Sequence, residues 1–208
     1  MKEDILEQMV DDWLLGQPGY FTKHNLKFKP EKESEGYKKH SDAVNSDIDI
    51  LGVQLVRDGK KTVRAVSCKS YQGGFNPKDW WNLLTTNKYK KVGGREAWKH
   101  HRELCIPKWG KAFSQKIFNE TGSKDFTYTL VVAILSVSGD DIANWKIKFE
   151  NEPMFIDNLK YDSSSEVKIE IITAKQMFED IIKRITGTVE STQFGRLIQV
   201  LRAAGSLS

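Results

Sequence analysis

One stretch constrains this chain more than any other: in residues 46–70, two aspartates precede an apolar run and a basic residue closes the next run. Asp47 and Asp49 stand at the head of Ile50–Val56, whose composition is typical of a β-strand. Residues 62–69 have the same character, so they predict a returning strand. The stretch therefore predicts a β-hairpin whose open end carries charged side chains.

The length of the turn decides which side chains meet. A two-residue Asp58-Gly59 turn would pair Asp49 with Cys68. A three-residue loop, Arg57-Asp58-Gly59 with a left-handed Gly59, would pair position 49 with 67 and position 47 with 69. Because side chains alternate between the two faces of a strand, one face would then carry Asp47, Asp49, Ser67 and Lys69. We predict the three-residue loop.

An acid at the head of a strand, a hairpin, and x-x-Lys at the end of the next strand resemble the PD-(D/E)XK nuclease superfamily. This group includes restriction endonucleases, Mrr-like enzymes and archaeal Holliday junction resolvases, and the resemblance covers residues 1–75. It assigns the first acid to Asp49 or Asp47 and the lysine to Lys69. The second acid of the family pattern falls on Ser67, so one carboxylate ligand is missing.

The resemblance implies an α/β (α+β) fold with a restriction-endonuclease-like mixed β-sheet flanked by helices. It implies Mg²⁺-dependent hydrolysis of phosphodiester bonds in DNA, for restriction, defence or repair, with Mn²⁺ as a substitute ion. The metal would bind Asp49 together with Asp47 or Glu7, an acid on the first helix, and would activate a water molecule. Lys69 would orient the nucleophile or stabilise the developing charge, and Ser67 completes the catalytic set. With one acid fewer, we expect one weakly bound metal ion rather than two.

Composition and motifs limit the other classes of protein. At 208 residues and 39% hydrophobic content the chain fits one domain, and no apolar run approaches the ~20 residues of a membrane span. Cys68 and Cys105 form no CxxC pair, which is typical of a reducing compartment without a zinc site. We expect no signal peptide, a cytoplasmic location, no membrane partner and no nucleotide cofactor, because the corresponding motifs are absent from the sequence.

The resemblance implies a single nuclease-like domain, and periodicity divides it into a core at 1–75 and 122–186, a basic helical insertion at 78–120 and a C-terminal helix at 190–204. Within the core we expect a helix at 3–15 and a loop at 30–45. Strands are expected at Tyr20–Lys29, Phe126–Val137, Trp145–Phe149 (an edge strand) and Glu166–Ile172, with a helix over 174–185 capped by Thr173. The apolar face of the C-terminal helix either packs on the body or serves a homodimer.

The stretch from position 88 to 102 has the strongest basic character. It contains six basic residues and one acid, Glu96, with aromatic side chains between them. Lysine and arginine neutralise phosphates, and aromatic rings stack on unpaired bases. We therefore predict nucleic-acid contacts at Lys88, Lys90, Lys91, Arg95, Lys99 and Arg102, together with Gln72, which follows the hairpin.

Three alternatives remain open from the sequence alone. The first is a nuclease-like DNA-binding protein that no longer cuts, with Ser67 as the sign of lost catalysis. The second is an RNA nuclease of the same fold. The third is a structural or interaction protein in which Asp47 and Asp49 only shape the entry to the hairpin.

Overall fold

The computed structural model describes residues 5–56, 59–71, 73–136, 141–184 and 192–206. A five-stranded mixed sheet forms its centre, with the strand order β1-β2-β3-β6-β7. The strands are β1 Tyr20–Phe28, β2 Ser46–Leu55, β3 Lys61–Lys69, β6 Phe126–Val132 and β7 Val167–Thr173. The first three strands run antiparallel to their neighbours, and β6 and β7 continue the sheet in parallel from β3. The mixed α/β class expected from the sequence is confirmed.

Helices cover both faces of this sheet, and a small hairpin lies outside it. The helices are α1 Ile5–Leu15, α2 Lys39–Asp42, α3 Pro77–Thr86, α4 Arg102–Cys105, α5 Pro107–Thr121, α6 Ile142–Glu150, α7 Pro153–Leu159, α8 Ala174–Arg184 and α9 Gln193–Ala203. The hairpin consists of β4 Lys91–Val92 and β5 Arg95–Glu96, followed by a 3₁₀ turn at Ala97–Lys99. Among the described residues, no helix is long and apolar enough to cross a membrane.

Two hydrophobic clusters lie on opposite faces of the sheet. On one face α1, α8 and α9 pack on β2, β3 and β6 through Val10, Ile50, Val66 and Val131. On the other face lies the larger cluster, to which α3, α4, α5, α6 and α7 contribute. Burial of this much apolar surface is the main favourable term in folding. The helices between positions 78 and 120 therefore belong to the main core and are not a separate insertion.

The β2–β3 hairpin has the register of the three-residue loop. Its pairs run from Leu55 opposite Lys61 to Ile50 opposite Val66, where the ladder ends, one residue short of Asp49. Gly59 has φ +70°, and its N–H donates to the carbonyl of Val56. A left-handed residue at this position is what a three-residue hairpin loop requires. Residues 57 and 58 of the loop lie outside the described residues.

Three sequence expectations for local structure are wrong. The segment from Arg95, expected as a helix, is a β-hairpin, because Gly93 (φ +56°) and Gly94 (φ +81°) form a turn with two positive φ angles. The expected edge strand at Trp145–Phe149 lies in α6, since its apolar residues also fit a helical period. The strand expected at Phe126–Val137 ends at Val132, and Leu135 forms only an isolated bridge with Phe75.

Other boundaries differ for reasons of capping. Pro107, which was expected to interrupt a helix, is the first residue of α5, where its missing N–H costs nothing. α7 was not foreseen, although Pro153 occupies its start and the Glu152 side chain accepts from Met154 N–H. Thr173 caps α8 as expected, since Gln176 N–H donates to its hydroxyl. The loop over 30–45 contains the single helical turn α2.

Candidate active site

The open end of the β2–β3 hairpin holds a half-buried carboxylate, that of Asp49. Cys68 N–H donates to Asp49 Oδ2 at 2.6 Å, so the side chain binds the backbone of β3 beyond the last pair of the ladder. This bond fixes the carboxylate at the point where the two strands separate. The expected pairing of Asp49 with Ser67 is not among the pairs of this ladder, which ends at Ile50 opposite Val66, and it stays a prediction.

The surroundings of Asp49 set its acidity. Burial raises the pKa of the Asp49 carboxyl above its ordinary value, and the negative charges of Asp47 and Glu103 raise it further. The Lys69 ammonium and the Cys68 hydrogen bond oppose this change. A buried carboxyl whose ionisation is disfavoured by burial and by neighbouring acids is a group that a bound cation would relieve.

Glu103 is the functional candidate that sequence reasoning missed. It lies on α4 with only 6% of its surface exposed, and the Tyr128 hydroxyl donates to its Oε1 at 2.6 Å. Tyr128 lies on β6, the strand beside β3, so this bond aims the carboxylate at the sheet near Asp49. Burial and the charge of Glu103 together raise the pKa of the Tyr128 phenol well above its ordinary value, so Tyr128 stays a proton donor.

A sequence signal for Glu103 existed. It is an acid in a short segment whose neighbours Leu104 and Cys105 are apolar, and such an acid is rarely buried without a partner. Glu103 directly follows Arg102, the last residue of the basic stretch, so the positive charge before it draws attention away from a single acid. Its approach to Asp49 could not be inferred, because more than fifty residues separate the two acids in the chain.

Lys69 ends β3 with a partly buried side chain. Its charge opposes the raised pKa of Asp49, and after burial it is the next cause of the lowered pKa of His101. His101 is fully buried, and its Nε2 lies 3.5 Å from the Tyr71 hydroxyl, while within the described residues its Nδ1 has no hydrogen-bond partner. The ammonium therefore acts on the Asp49 carboxyl and on a neutral imidazole.

The other expected site residues have different surroundings. Asp47 is 40% exposed at its side chain, and its Oδ2 lies 2.6 Å from Lys27 Nζ, so an ion pair already engages it. Ser67 is buried, and its hydroxyl is among the groups that lower the pKa of Tyr128. Glu7 lies partly exposed on α1, which packs on the sheet face opposite α4. Gln72 lies outside the described residues.

The predicted nucleic-acid contacts separate into two groups. Lys90, Lys91 and Arg95 are exposed on and beside the β4–β5 hairpin, and Arg95 Nη2 also donates to the Lys99 carbonyl at 3.4 Å. The other three make contacts within the protein: Lys88 Nζ donates to the Cys105 carbonyl at 3.4 Å, Lys99 pairs with Glu96 at 3.0 Å, and Arg102 stacks on Trp109 at 4.5 Å. The first group remains available to a ligand in solution.

The donor set suits a hard divalent cation. Within the described ranges no cluster of three or more His, Cys, Asp and Glu side chains is placed to hold a metal ion. Mg²⁺ does not need such a cluster, because it keeps several waters and binds one or two carboxylates together with substrate phosphate oxygens. Asp49 and Glu103 supply two carboxylates, so these residues fit Mg²⁺ or Mn²⁺.

Comparisons with other proteins add no family. No protein-family model, no curated protein and no solved structure matches this chain. The functional argument therefore depends on the geometry of the site.

Proposed function

We propose that this protein is a metal-dependent nuclease that hydrolyses phosphodiester bonds in DNA, in restriction, defence or repair. The observation that carries the proposal is the electrostatic grouping of Asp49, Glu103 and Lys69 at the open end of the hairpin. The resemblance of this hairpin to PD-(D/E)XK enzymes and the mixed sheet flanked by helices support it. Glu103 provides the carboxylate that the hairpin lacks at Ser67.

Each residue has a distinct role in the proposed reaction. Asp49 and Glu103 hold the cation, and Tyr128 keeps Glu103 oriented by its hydrogen bond. A bound Mg²⁺ supplies a water of lowered pKa and neutralises charge on the phosphate. Lys69 orients the attacking water or donates to a phosphate oxygen as negative charge develops there. Asp47 remains a candidate for an additional contact to the hydrated ion, whereas Glu7 lies on the other face of the sheet from Glu103.

A digestion panel tests the proposal. Supercoiled, linear, single-stranded and four-way DNA and an RNA are each incubated with the protein in Mg²⁺, in Mn²⁺ and in EDTA. We expect cleavage of DNA that needs a divalent ion and falls at least about 100-fold in Lys69→Ala, because the group that stabilises transition-state charge is lost. Lys168→Ala is the matched control, since this exposed lysine on β7 lies away from the site.

The outcomes separate the alternatives. Full activity in Lys69→Ala would remove the assignment of this lysine. Cleavage confined to RNA would identify an RNA nuclease of the same chemistry. Strand binding with no cleavage in either metal would identify a DNA-binding protein that has lost catalysis.

A further inference from the structure

Two adjoining cavities form a groove along α5, on the face of the sheet that also carries Glu103. One cavity has a volume of about 550 Å³ and lies between β1, the 31–34 loop and α5. The other has a volume of about 650 Å³ and extends from the 34–42 loop to Lys88 and Trp98. Ser34, Lys108 and Lys111 line both cavities, so the two are continuous.

The walls of the groove are rich in positive charge. Seven lysines line the two cavities against four acidic residues: Lys27, Lys29, Lys38, Lys88, Lys108, Lys111 and Lys116. Four of them already contact groups of the protein, since Lys27 pairs with Asp47, Lys108 with Asp42 and Lys116 with Glu120, and Lys88 donates to the Cys105 carbonyl. The acid Asp42 is neutralised inside the wall, because Lys108 Nζ lies 2.6 Å from its Oδ2. The remaining three acids lie together on the 31–35 loop, so the wall formed by α5 presents lysines to the groove.

Aromatic rings stand at the end of the groove that is nearest α4. Tyr89 lines the second cavity, and 65% of its surface is exposed, which is unusual for a large aromatic side chain on a well-packed protein. Trp98 lines the same cavity, and the Arg102 guanidinium lies 5.7 Å from its ring centre. A cationic groove with an exposed ring at one end is the arrangement that binds single strands through phosphates and stacked bases.

The groove meets the candidate active site at one ion pair. Lys27 lines the first cavity, and its ammonium lies 2.6 Å from the carboxylate of Asp47. Asp47 is one of the charges that act on Asp49. A strand in the groove would therefore run beside the acidic pair.

We propose that the groove along α5 binds a single-stranded segment of nucleic acid, with lysines on its phosphates and Tyr89 stacked on a base. The inference rests on the proposed function for the cleavage of the bound strand. It deepens that function, because it names a single-stranded region as the part of the substrate that binds. A duplex would have its bases paired and stacked internally, so the exposed ring of Tyr89 would have no partner.

The test measures binding without cleavage. A fluorescently labelled 20-nucleotide single strand and the matching duplex are titrated with the full chain in EDTA, and anisotropy is followed from 50 to 300 mM salt. The groove variant Lys29→Gln/Lys111→Gln removes two exposed lysines from the walls. The control Lys168→Gln/Lys175→Gln removes the same charge from exposed positions on β7 and α8.

We expect the groove variant to bind the single strand about 25-fold more weakly at 0.1 M salt, and its salt slope to fall by about 1.4, since each phosphate contact on a single strand contributes about 0.7. The control should change both quantities far less. Tyr89→Ala should weaken single-strand binding by about tenfold and leave duplex binding unchanged, and Tyr89→Phe should restore it, because the ring and not the hydroxyl stacks.

Equal losses in the groove and control variants would overturn the proposal, as would a Tyr89→Ala variant that binds the single strand like the unmodified protein. The proposed function can fail independently of the groove. If a strand binds in the groove but is never cut in Mg²⁺ or Mn²⁺, nuclease activity is refuted and single-strand binding by the groove is retained. If the groove variant cleaves subsaturating DNA as fast as the unmodified protein, substrate binding by the groove is refuted and nuclease activity is retained.

Discussion

The substitution Glu103→Gln tests whether the buried Glu103 carboxylate serves to bind a cation or to stabilise the fold. Glu103 is buried, and the hydrogen bond that it accepts comes from a neutral phenol, Tyr128, at 2.6 Å. Glutamine retains an acceptor of the same size, so this bond weakens only from a charge-assisted one to a neutral one, by about 1 kcal/mol. Removal of a buried charge gains several kcal/mol, because its desolvation no longer opposes folding.

We therefore expect Glu103→Gln to raise the free energy of unfolding in EDTA by about 1–3 kcal/mol. In Mg²⁺ this advantage should shrink by about 2.7 kcal/mol, so that it disappears or reverses. A cation at 100 times its dissociation constant stabilises the folded protein by about 2.7 kcal/mol, and the variant should lose this contribution together with cleavage. Urea denaturation with and without Mg²⁺, followed by tryptophan fluorescence, measures both effects.

Two further variants make the result specific. Glu103→Ala leaves the buried Tyr128 hydroxyl without its acceptor, so it should be about 1–3 kcal/mol less stable than Glu103→Gln. Glu150→Gln is a control outside the site, where the carboxylate accepts from Ile171 N–H at 2.7 Å and lies 3.4 Å from Lys146. It should lose stability equally with and without Mg²⁺. If Glu103→Gln were less stable than the unmodified protein in EDTA, the Glu103 carboxylate would stabilise the fold by itself, and its role as a cation ligand would be refuted.

Two more predictions concern the framework that holds the site. Gly110→Ala should lower the free energy of unfolding by more than about 3 kcal/mol in chemical denaturation, because its Cβ would overlap the Asn158 carbonyl and lie 2.8 Å from that of Glu103. Gly73→Ala, where a Cβ meets no atom within 4 Å, should change it by less than about 0.5 kcal/mol, and equal effects would contradict the packing of α5 on α4 and α7. Burial raises the pKa of Asp42, but Lys108, Lys38 N–H and Trp109 outweigh it, so the net pKa is lowered. Its stabilising contribution is therefore complete above the ordinary aspartate pKa and is lost as the pH falls through the lowered one, so Asp42→Asn should flatten the loss of stability in acid titrations, and an unchanged acid profile would contradict the pairing.

The hairpin was predictable because its determinants are local. Alternation, the turn residues and a glycine able to adopt positive φ fix the register of the hairpin from Leu55 opposite Lys61 to Ile50 opposite Val66. The amphipathic helices α1 and α8 were predictable for the same reason, since one apolar stripe decides each of them.

Where a local signal permitted two structures, packing decided between them. The apolar residues of 142–150 fit a strand or a helix, and burial of Phe149 against Phe75 and Phe155 in the main core selects the helix. Gly93-Gly94 could begin a helix or form a turn, and the β4–β5 pairing selects the turn.

By itself, the sequence determined one acid and one lysine on a hairpin, a mixed α/β class and a basic character near position 90. Only the tertiary structure brought the charge of Glu103 to act on Asp49, because α4 packs over β6, where Tyr128 donates to Glu103. It alone formed the lysine groove, whose walls come from segments more than forty residues apart in the chain. Charge and periodicity are properties of neighbours along the chain, whereas a site is made by the side chains that burial of a common core forces together.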